Sequence, residues 1–273
     1  MAPTRGNEAD VPHADGAASA GVRWPPMTRR IDEARAAVAA ERACVATERD
    51  AFEAFDRRVA ALATVAASTT PPLLSDPQRS GQSLERVRTA YEETVMSVPH
   101  YEAEYGDTVA ESLAAEFGED LAAALVGGTA LTADFRDAVR AAAAAARRER
   151  EEFLTVLDRE DTSLARTAAD LSEVRSDLEA LDDPPLSDRS FDDLRALWES
   201  VRDVEARIEG IGMRRQETIR GYRKELPGVP TDLVEYLYAD LSVTHPVLAA
   251  VATLGDETRR ARRRVERRLA STA

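Results

Sequence analysis

The sequence predicts an all-α protein, an elongated bundle of long amphipathic, coiled-coil-like helices with a cap of shorter helices. Two long stretches, 28–67 and 132–183, contain neither glycine nor proline. Apolar residues recur in both at heptad spacing, and no segment shows the alternation of apolar and polar residues that a half-buried strand requires. Aromatic residues make up only 5% of the chain and charged residues 32%, a balance that favours long, exposed helices over one thick core.

The first long helix is predicted over 28–67. Its first heptad seam consists of Ile31, Val38, Val45, Phe52 and Val59. Its second seam consists of Ala34, Glu41, Glu48, Phe55 and Leu62. The two acids in the second seam predict a narrow apolar stripe in the N-terminal half of the helix and a fuller one in the C-terminal half. A linker over 70–81 is expected to end the helix, because its prolines cannot donate the helix hydrogen bond and Gly81 disfavours a quick restart.

Two shorter helices are predicted between the linker and the second long helix, over 82–98 and 107–126. Pro99 ends the first, Asp107 or Thr108 caps the second, and a pair of glycines then breaks the chain. The second long helix, 132–183, carries four leucines at heptad spacing, which are Leu157, Leu164, Leu171 and Leu178.

A turn at 184–189 leads into a returning helix, 190–226, for which Ser190 is the expected N-cap. We expect the two helices to form an antiparallel hairpin in which Leu164 and Leu171 pack against Trp198 and Val201. A short helix follows over 231–242, and the last one, 246–270, begins at Pro246 because proline is favoured in a first turn. Residues 1–27 are predicted to be a disordered arm, and 28–273 a single elongated helical domain that ends in an arginine-rich tail, 257–273.

The charge balance predicts a salt-adapted, soluble protein. The chain has 36 basic and 50 acidic residues, a formal net charge of −14, and Lys224 is its single lysine. Dense acidic charge keeps a protein dispersed where salt screens ordinary repulsion. Cys44 is the single cysteine, so no intramolecular disulfide can form and a cytoplasmic location is expected. No apolar run approaches the ~20 residues that span a bilayer, so no membrane association is predicted.

The sequence offers little for catalysis or for binding a metal or cofactor. The three histidines, His13, His100 and His245, are scattered, and Glu-x-x-His, which di-metal helix bundles use, does not occur. The segment from His100 to Tyr105 places an imidazole, two phenols and two carboxylates in one turn. Tyrosines beside a proline-terminated helix are expected to pack their rings at a bundle end and to hydrogen-bond through their hydroxyls. We therefore predict a non-enzymatic protein without a metal or cofactor.

Two sets of residues are candidates for contact with a partner. One is the leucine stripe given above, and the other is the set of tail arginines Arg259, Arg260, Arg262, Arg263, Arg264, Arg267 and Arg268. The tail is typical of a nucleic-acid arm, of a contact for an acidic protein, or of a solvated helix end whose cations complement the helix dipole. The leucines follow a weakly basic segment, as in a zipper, but glutamates interrupt its arginines, so an inner bundle face is favoured. The sequence leaves open whether that face is used within one chain or between two.

The tail also has a possible docking region within the chain. From Thr89 to Phe135 there are ten acids and neither lysine nor arginine. We expect the tail to contact this region, in the same chain or in a second copy, because bidentate arginine–carboxylate pairs keep their geometric value when long-range attraction is screened.

Three segments are similar to an uncharacterised family of haloarchaeal helical proteins, a domain of unknown function. The segments are Arg88–Asp107, Leu113–Gly118 and Tyr236–Leu248. The resemblance implies a helical fold and a salt-loving host, and it implies no activity, cofactor or catalytic residue. The expected function is that of a non-catalytic interaction or scaffold protein of a salt-adapted cytoplasm, which binds protein, either itself or another, through helical faces. The alternative is a nucleic-acid-associated regulator that uses the arginine tail, and an enzyme with an unrecognised site comes third.

Overall fold

The computed structural model describes residues 27–64, 77–128, 130–182, 184–225 and 232–272. In this part of the chain the regular elements are helices and no β-strand occurs, which confirms the predicted all-α class. The predicted disordered arm lies outside the described residues except at Met27, and so does the part 70–76 of the predicted linker.

The described helices include four long ones, of 27 to 48 residues, and five shorter ones. They are α1 (Met27–Ala60), α2 (Pro77–Glu92), α3 (Tyr101–Glu104), α4 (Val109–Phe117), α5 (Glu119–Gly127), α6 (Ala133–Ala180), α7 (Phe191–Glu225), α8 (Leu233–Leu237) and α9 (Pro246–Thr272). A 3₁₀ turn, Leu186–Asp188, connects α6 to α7. None of these helices combines the length and the apolar character that crossing a membrane requires.

Helices α1 and α6 run antiparallel and contact each other along most of their lengths. Two ion pairs at the edges of the contact show this direction: Arg35 binds Asp161 at 2.8 Å, and Arg140 binds Asp56 at 2.8 Å. Such partly exposed pairs each contribute on the order of 0 to 1 kcal/mol. The main stabilisation therefore comes from the apolar seams, and every residue of the first α1 seam is buried.

The leucine stripe of α6 lies inside this chain. Leu157, Leu164 and Leu171 are buried, and Leu178 packs against the same cluster with partial exposure. The partner surfaces come from α1, α7, α8 and α9 of the same chain. The stripe is thus an inner bundle face that is used intramolecularly.

Apolar packing divides into two main clusters along the α1–α6 pair. The α7–α9 core joins the N-terminal half of α1 and the C-terminal half of α6 to α7, α8 and α9. The α2–α5 core joins the other halves of α1 and α6 to α2, α4 and α5. On α1 the boundary falls between Val45 and Phe52, and on α6 it falls between Ala146 and Leu154. A polar centre occupies this boundary.

The predicted caps at Thr108 and Ser190 are confirmed. The Thr108 side chain accepts a hydrogen bond from the Glu111 amide, and the Glu111 carboxylate accepts one from the Thr108 backbone N–H, so that a capping box forms. The Ser190 hydroxyl accepts from the Asp193 amide at 3.2 Å in the same way. The last helix begins at Pro246, as predicted.

Several predicted boundaries are wrong. Helix α1 ends at Ala60 instead of 67, α2 ends at Glu92 instead of 98, and α8 ends at Leu237 instead of 242. Helix α2 begins at Pro77 and includes Gly81, so the linker predicted over 70–81 ends before residue 77. Proline is tolerated at the first position of a helix, because the N–H that it lacks would have no partner there. The predicted helix 107–126 is two helices, because Gly118 has φ +84 and ψ 157, a backbone conformation that only glycine adopts without strain.

The predicted hairpin has the right direction but the wrong register. Asp170 pairs with Arg214 at 2.8 Å and Asp177, further along α6, pairs with the earlier Arg207 of α7, so α6 and α7 are antiparallel. Leu164 and Leu171 belong to the α7–α9 core together with Ile208 and Ile211, whereas Val201 belongs to a separate cluster beside the turn. The main partner of α6 is α1 and not α7, since a uniform apolar stripe does not encode which helix covers it.

Candidate functional site

The first polar centre is the buried carboxylate of Glu160 on α6. Its two oxygens accept a bidentate pair from Arg215 of α7 at 2.7 and 2.8 Å. The hydroxyl of Tyr222 donates to Glu160 Oε2 at 2.9 Å, and the hydroxyl of Tyr238 donates to Glu160 Oε1. Side-chain exposure is 0% for Glu160 and 2% for Arg215, so this ion pair is removed from water.

The protonation states at this centre follow from burial. Burial raises the pKa of both tyrosines, and the adjacent Glu160 carboxylate raises it further, so both phenols stay protonated donors. Burial lowers the pKa of Arg215, but the bond to Glu160 outweighs it and the net pKa is raised. The carboxylate is saturated with donors, as expected of a group that fixes helix register rather than of one that receives a substrate.

A groove of about 650 Å³ between α6 and α7 borders this centre. It is lined by the hydroxyls of Thr155, Thr162, Thr167 and Thr218 together with several arginines. Each of these hydroxyls donates to a carbonyl one turn earlier in its own helix. The groove therefore has the character of a solvated helix surface.

The second polar centre surrounds Glu48 at the boundary between the two cores. Glu48 Oε1 lies 3.0 Å from His100 Nε2 and accepts the Tyr105 hydroxyl at 3.0 Å. Its other oxygen accepts from Arg150 of α6 at 3.1 Å. Arg150 in turn holds the Glu116 carboxylate of α4 with two bonds of 2.5 and 2.8 Å. This network connects α1, α4, α6 and the segment around α3.

Burial and charge shift several pKa values in this centre. Burial raises the pKa of Tyr105, and the Glu48 carboxylate raises it further. Burial lowers the pKa of Arg150, but its bonds to the two glutamates outweigh that, and the net pKa is raised. Burial raises the pKa of Glu41 and of Cys44, which precede Glu48 on α1, and the surrounding acids add to the rise. The site is thus an acidic one with a firmly charged guanidinium on one side.

A cavity of about 70 Å³ lies behind Glu48. Glu48, Tyr101, Tyr105 and Arg150 are among the side chains that line it. The Tyr101 hydroxyl is buried and makes no hydrogen bond within the described residues, while the nearby Ser112 hydroxyl is hydrogen-bonded to Tyr91 at 2.8 Å. The cavity has room for about two water molecules, and Tyr101 offers them a polar contact.

The interpretation of the His100–Tyr105 segment needs correction. It lies beside the middle of α1 and not at a bundle end. Tyr105 does hydrogen-bond through its hydroxyl, while Tyr101 packs its ring against Ala51 and Val98 and leaves its hydroxyl unpartnered. His100 and Glu104 stand four residues apart, and the structure brings both to Glu48. In the sequence alone this spacing does not indicate a site, because Glu48 is distant along the chain.

The buried charges could have been found from the heptad pattern. Glu48 occupies a position in the second α1 seam, and Arg150 stands one heptad before Leu157 in the leucine stripe. Glu160 stands one heptad after Phe153, a residue that packs against the α7–α9 core. A charge at a core position must be paired when it is buried, so each of these residues signals a partner on a facing helix.

Four of the tail arginines are held within the chain. Arg262 binds Glu205 of α7 at 2.6 Å, and Arg264 binds Asp182 at 3.1 Å. Arg268 donates to the Leu186 and Ser187 carbonyls in the turn before α7, while Arg259 pairs within its own helix. The other three, Arg260, Arg263 and Arg267, are exposed and make no ion pair or hydrogen bond in the described part of the chain.

The prediction that the tail docks on the acidic region from Thr89 to Phe135 of the same chain is wrong, while docking on that region of a second copy stays a prediction. The tail contacts α7 and the α6–α7 turn, because the apolar face of α9 packs through Val265 against Leu197 and Val201. The acidic region takes arginines from elsewhere, as the Arg150–Glu116 pair shows.

Comparison with known proteins gives one match. A family model described as a domain of unknown function, DUF7260, matches residues 29–262. The match includes both polar centres and ends within α9, before Arg263. Neither the curated proteins nor the solved structures contain a match to this chain. Since the match covers most of the chain, the protein belongs to the DUF7260 family of unknown function.

Proposed function

We propose that this protein is a non-catalytic helical scaffold that binds an acidic protein surface through the outer face of α9. The observation that carries the proposal is the division of the tail arginines into four that are held within the chain and three that point outward. The held arginines and the buried apolar face fix α9 against α7, so the outer face is presented on a rigid support.

The three outward arginines form one stripe. Arg260, Arg263 and Arg267 are spaced by three and four residues, which places them on one face of a helix. Thr258, Ala261 and Val265 of the opposite face are buried. A guanidinium binds a carboxylate in a bidentate fork, so a short stripe of arginines on a fixed helix can recognise an acidic segment geometrically.

The charge of the whole chain favours protein over nucleic acid as the partner. A duplex-binding protein commonly makes about 6 to 10 phosphate contacts, and this stripe supplies three arginines. The formal net charge of −14 repels a long polyanion, whereas a short acidic segment can approach the stripe locally. A nucleic-acid-associated regulator is therefore the alternative function.

Saturation of the Glu160 centre supports a non-catalytic function, because its carboxylate and guanidinium are committed to each other and to tyrosines. A reacting site keeps a group available for substrate. The single cysteine and the excess of acids support a salt-adapted cytoplasm as the setting. A haloarchaeal host remains a prediction from the family resemblance.

The test compares binding of defined polyanions to the purified full chain. Fluorescence anisotropy measures the affinity for a labelled poly-glutamate peptide, a DNA duplex and a single-stranded RNA at several salt concentrations. The triple variant R260Q/R263Q/R267Q removes the stripe. The matched control R57Q/R148Q/R220Q removes the same charge from exposed arginines on α1, α6 and α7.

We expect poly-glutamate to bind the wild type and the control alike, and the stripe variant to bind at least about tenfold more weakly, a loss of about 1.4 kcal/mol. Tighter binding of duplex or RNA, with a steep salt dependence that the stripe variant loses, would replace the proposal with the nucleic-acid regulator. Equal binding by both triple variants would show that the outer face of α9 is not a binding surface.

A further inference from the structure

The residues near Glu48 include three groups that ligate metal ions in proteins. One carboxylate oxygen of Glu48, one of Glu104 and a ring nitrogen of His100 lie within 4.8 Å of one another. Glu48 comes from α1, while His100 immediately precedes the single turn of α3 and Glu104 is the last residue of that turn. Because the donors come from two separate elements, folding alone brings them together.

The separations are close to those of a coordinated ion. His100 Nε2 and Glu48 Oε1 are 3.0 Å apart. Two ligands bonded at about 2.0 to 2.1 Å to a tetrahedral ion are about 3.3 Å apart. An ion can thus be accommodated between these two atoms after a shift of a few tenths of an ångström.

Other residues hold Glu48 in position. Arg150 binds the second oxygen of the carboxylate, and Tyr105 donates to the first, so the carboxylate plane cannot turn freely. Arg150 is itself fixed by its paired bonds to Glu116. Partners of this kind orient the ligands of metal sites and are as much a part of such sites as the ligands themselves.

The surroundings favour a cation with an open coordination position. Glu41 accepts the Tyr236 hydroxyl at 2.8 Å and lies one heptad before Glu48, so it adds negative charge to the same face of α1. Glu104 is exposed, which opens the cluster to solvent, while His100 and Glu48 are 13% and 11% exposed. The unpartnered, buried Tyr101 hydroxyl faces the cavity behind Glu48 and can hold ordered water there.

We infer that Glu48, His100 and Glu104 form a binding site for one divalent transition-metal ion, with a fourth position open to water. One imidazole and two carboxylates are the donor set of zinc- and manganese-class ions. The ion would join α1 to the turn that contains α3. It would also offset the two carboxylate charges at the boundary between the cores.

The experiment uses the untagged full chain, stripped with chelator and titrated with Zn²⁺. Calorimetry measures the affinity, and elemental analysis after dialysis measures the stoichiometry. Two ligand variants, H100Q and E104Q, are paired with two controls, H245Q and E102Q. His245 and Glu102 are exposed, and neither belongs to the cluster. Circular dichroism and melting temperature establish that each variant is folded.

We expect one zinc ion per wild-type chain. H100Q and E104Q should weaken binding by at least about tenfold, while H245Q and E102Q stay within about twofold of the wild type. Replacement of zinc by Co²⁺ should give visible absorption bands of a four- or five-coordinate ion, and these bands should disappear in H100Q. Absence of stoichiometric binding by the folded wild type would overturn the inference. So would equal affinities of a ligand variant and its control, because the ion would then be bound elsewhere.

Discussion

Glu160→Gln is the substitution that most directly probes the buried ion pair between α6 and α7. It removes the charge of a carboxylate that is 0% exposed and leaves Arg215, at 2% exposure, without a counter-ion. Breaking a buried pair from one side costs about 3 to 5 kcal/mol, because the remaining charge is left uncompensated in the protein interior. The new amide group also presents a donor where an arginine and two tyrosines already donate. A loss of this size is a large share of the ~5 to 15 kcal/mol by which a native protein is stable.

Urea unfolding, followed by circular dichroism, measures this loss. The control Asp161→Asn changes the neighbouring acid, whose pair with Arg35 is about 40% exposed on both sides, and should cost about 0 to 1 kcal/mol. The double variant E160M/R215M should cost less than the two single changes together, since it removes both charges. A cost for E160Q below about 1 kcal/mol, equal to that of D161N, would refute the assignment of the pair to a dry core.

Three further predictions follow from other parts of the fold. Gly118→Ala should cost about 1 to 3 kcal/mol because of the positive φ there, whereas Gly127→Ala, which has open space around it, should be neutral or slightly stabilising in the same urea assay. Leu164→Ala should cost about 2 to 5 kcal/mol by chemical denaturation, and Leu178→Ala clearly less, because Leu178 is already partly exposed. Burial raises the pKa of Glu41, so ionising this carboxyl destabilises the folded state. Glu41→Gln should therefore stabilise the protein at pH 7, and unfolding curves should show the gain fading as the pH falls from the raised pKa to the ordinary glutamate value, below which it is absent.

Helix content and the inner faces could be predicted from the sequence because they depend on local signals. Heptad spacing placed Val38 and Leu164 on buried faces, and capping chemistry placed helix starts at Ser190 and Pro246. Boundaries were predicted wrongly where a residue that usually interrupts a helix is tolerated inside it or at its start. Pro77 starts a helix instead of preventing one, since a first-turn position does not need its N–H.

Helix pairing could not be predicted from the apolar pattern. The stripe of α6 fits α1 and α7 equally well as a pattern, and the choice depends on complementary charges far apart in the chain. Arg35 with Asp161 and Arg150 with Glu48 accompany the α1 contact, while Asp170 with Arg214 accompanies the α7 contact. The tail reaches α7 for a different reason: the apolar face of α9, and not the long-range attraction between opposite charges, decides where it packs.

The polar centres were missed because each combines residues from several elements. Glu48 and Glu160 at seam positions carry a signal that can be recognised, since an acid in a core seam needs a partner. The identity of the partners cannot be read from that signal, because it depends on the antiparallel registers of α6 with α1 and with α7. The four-residue spacing of His100 and Glu104 was visible in the sequence, but its meaning depends on the third donor from α1.

The central claim is that the outer face of α9 binds an acidic protein, and comparative capture from native lysate tests it most directly. Wild type, R260Q/R263Q/R267Q and the control R57Q/R148Q/R220Q are used as baits at native salt, with and without nuclease, and bound proteins are quantified by mass spectrometry. We predict one or more acidic proteins that the wild type and the control retain, that the stripe variant loses, and that nuclease does not release. Retention of the same proteins by all three baits, or their release by nuclease, would contradict the claim.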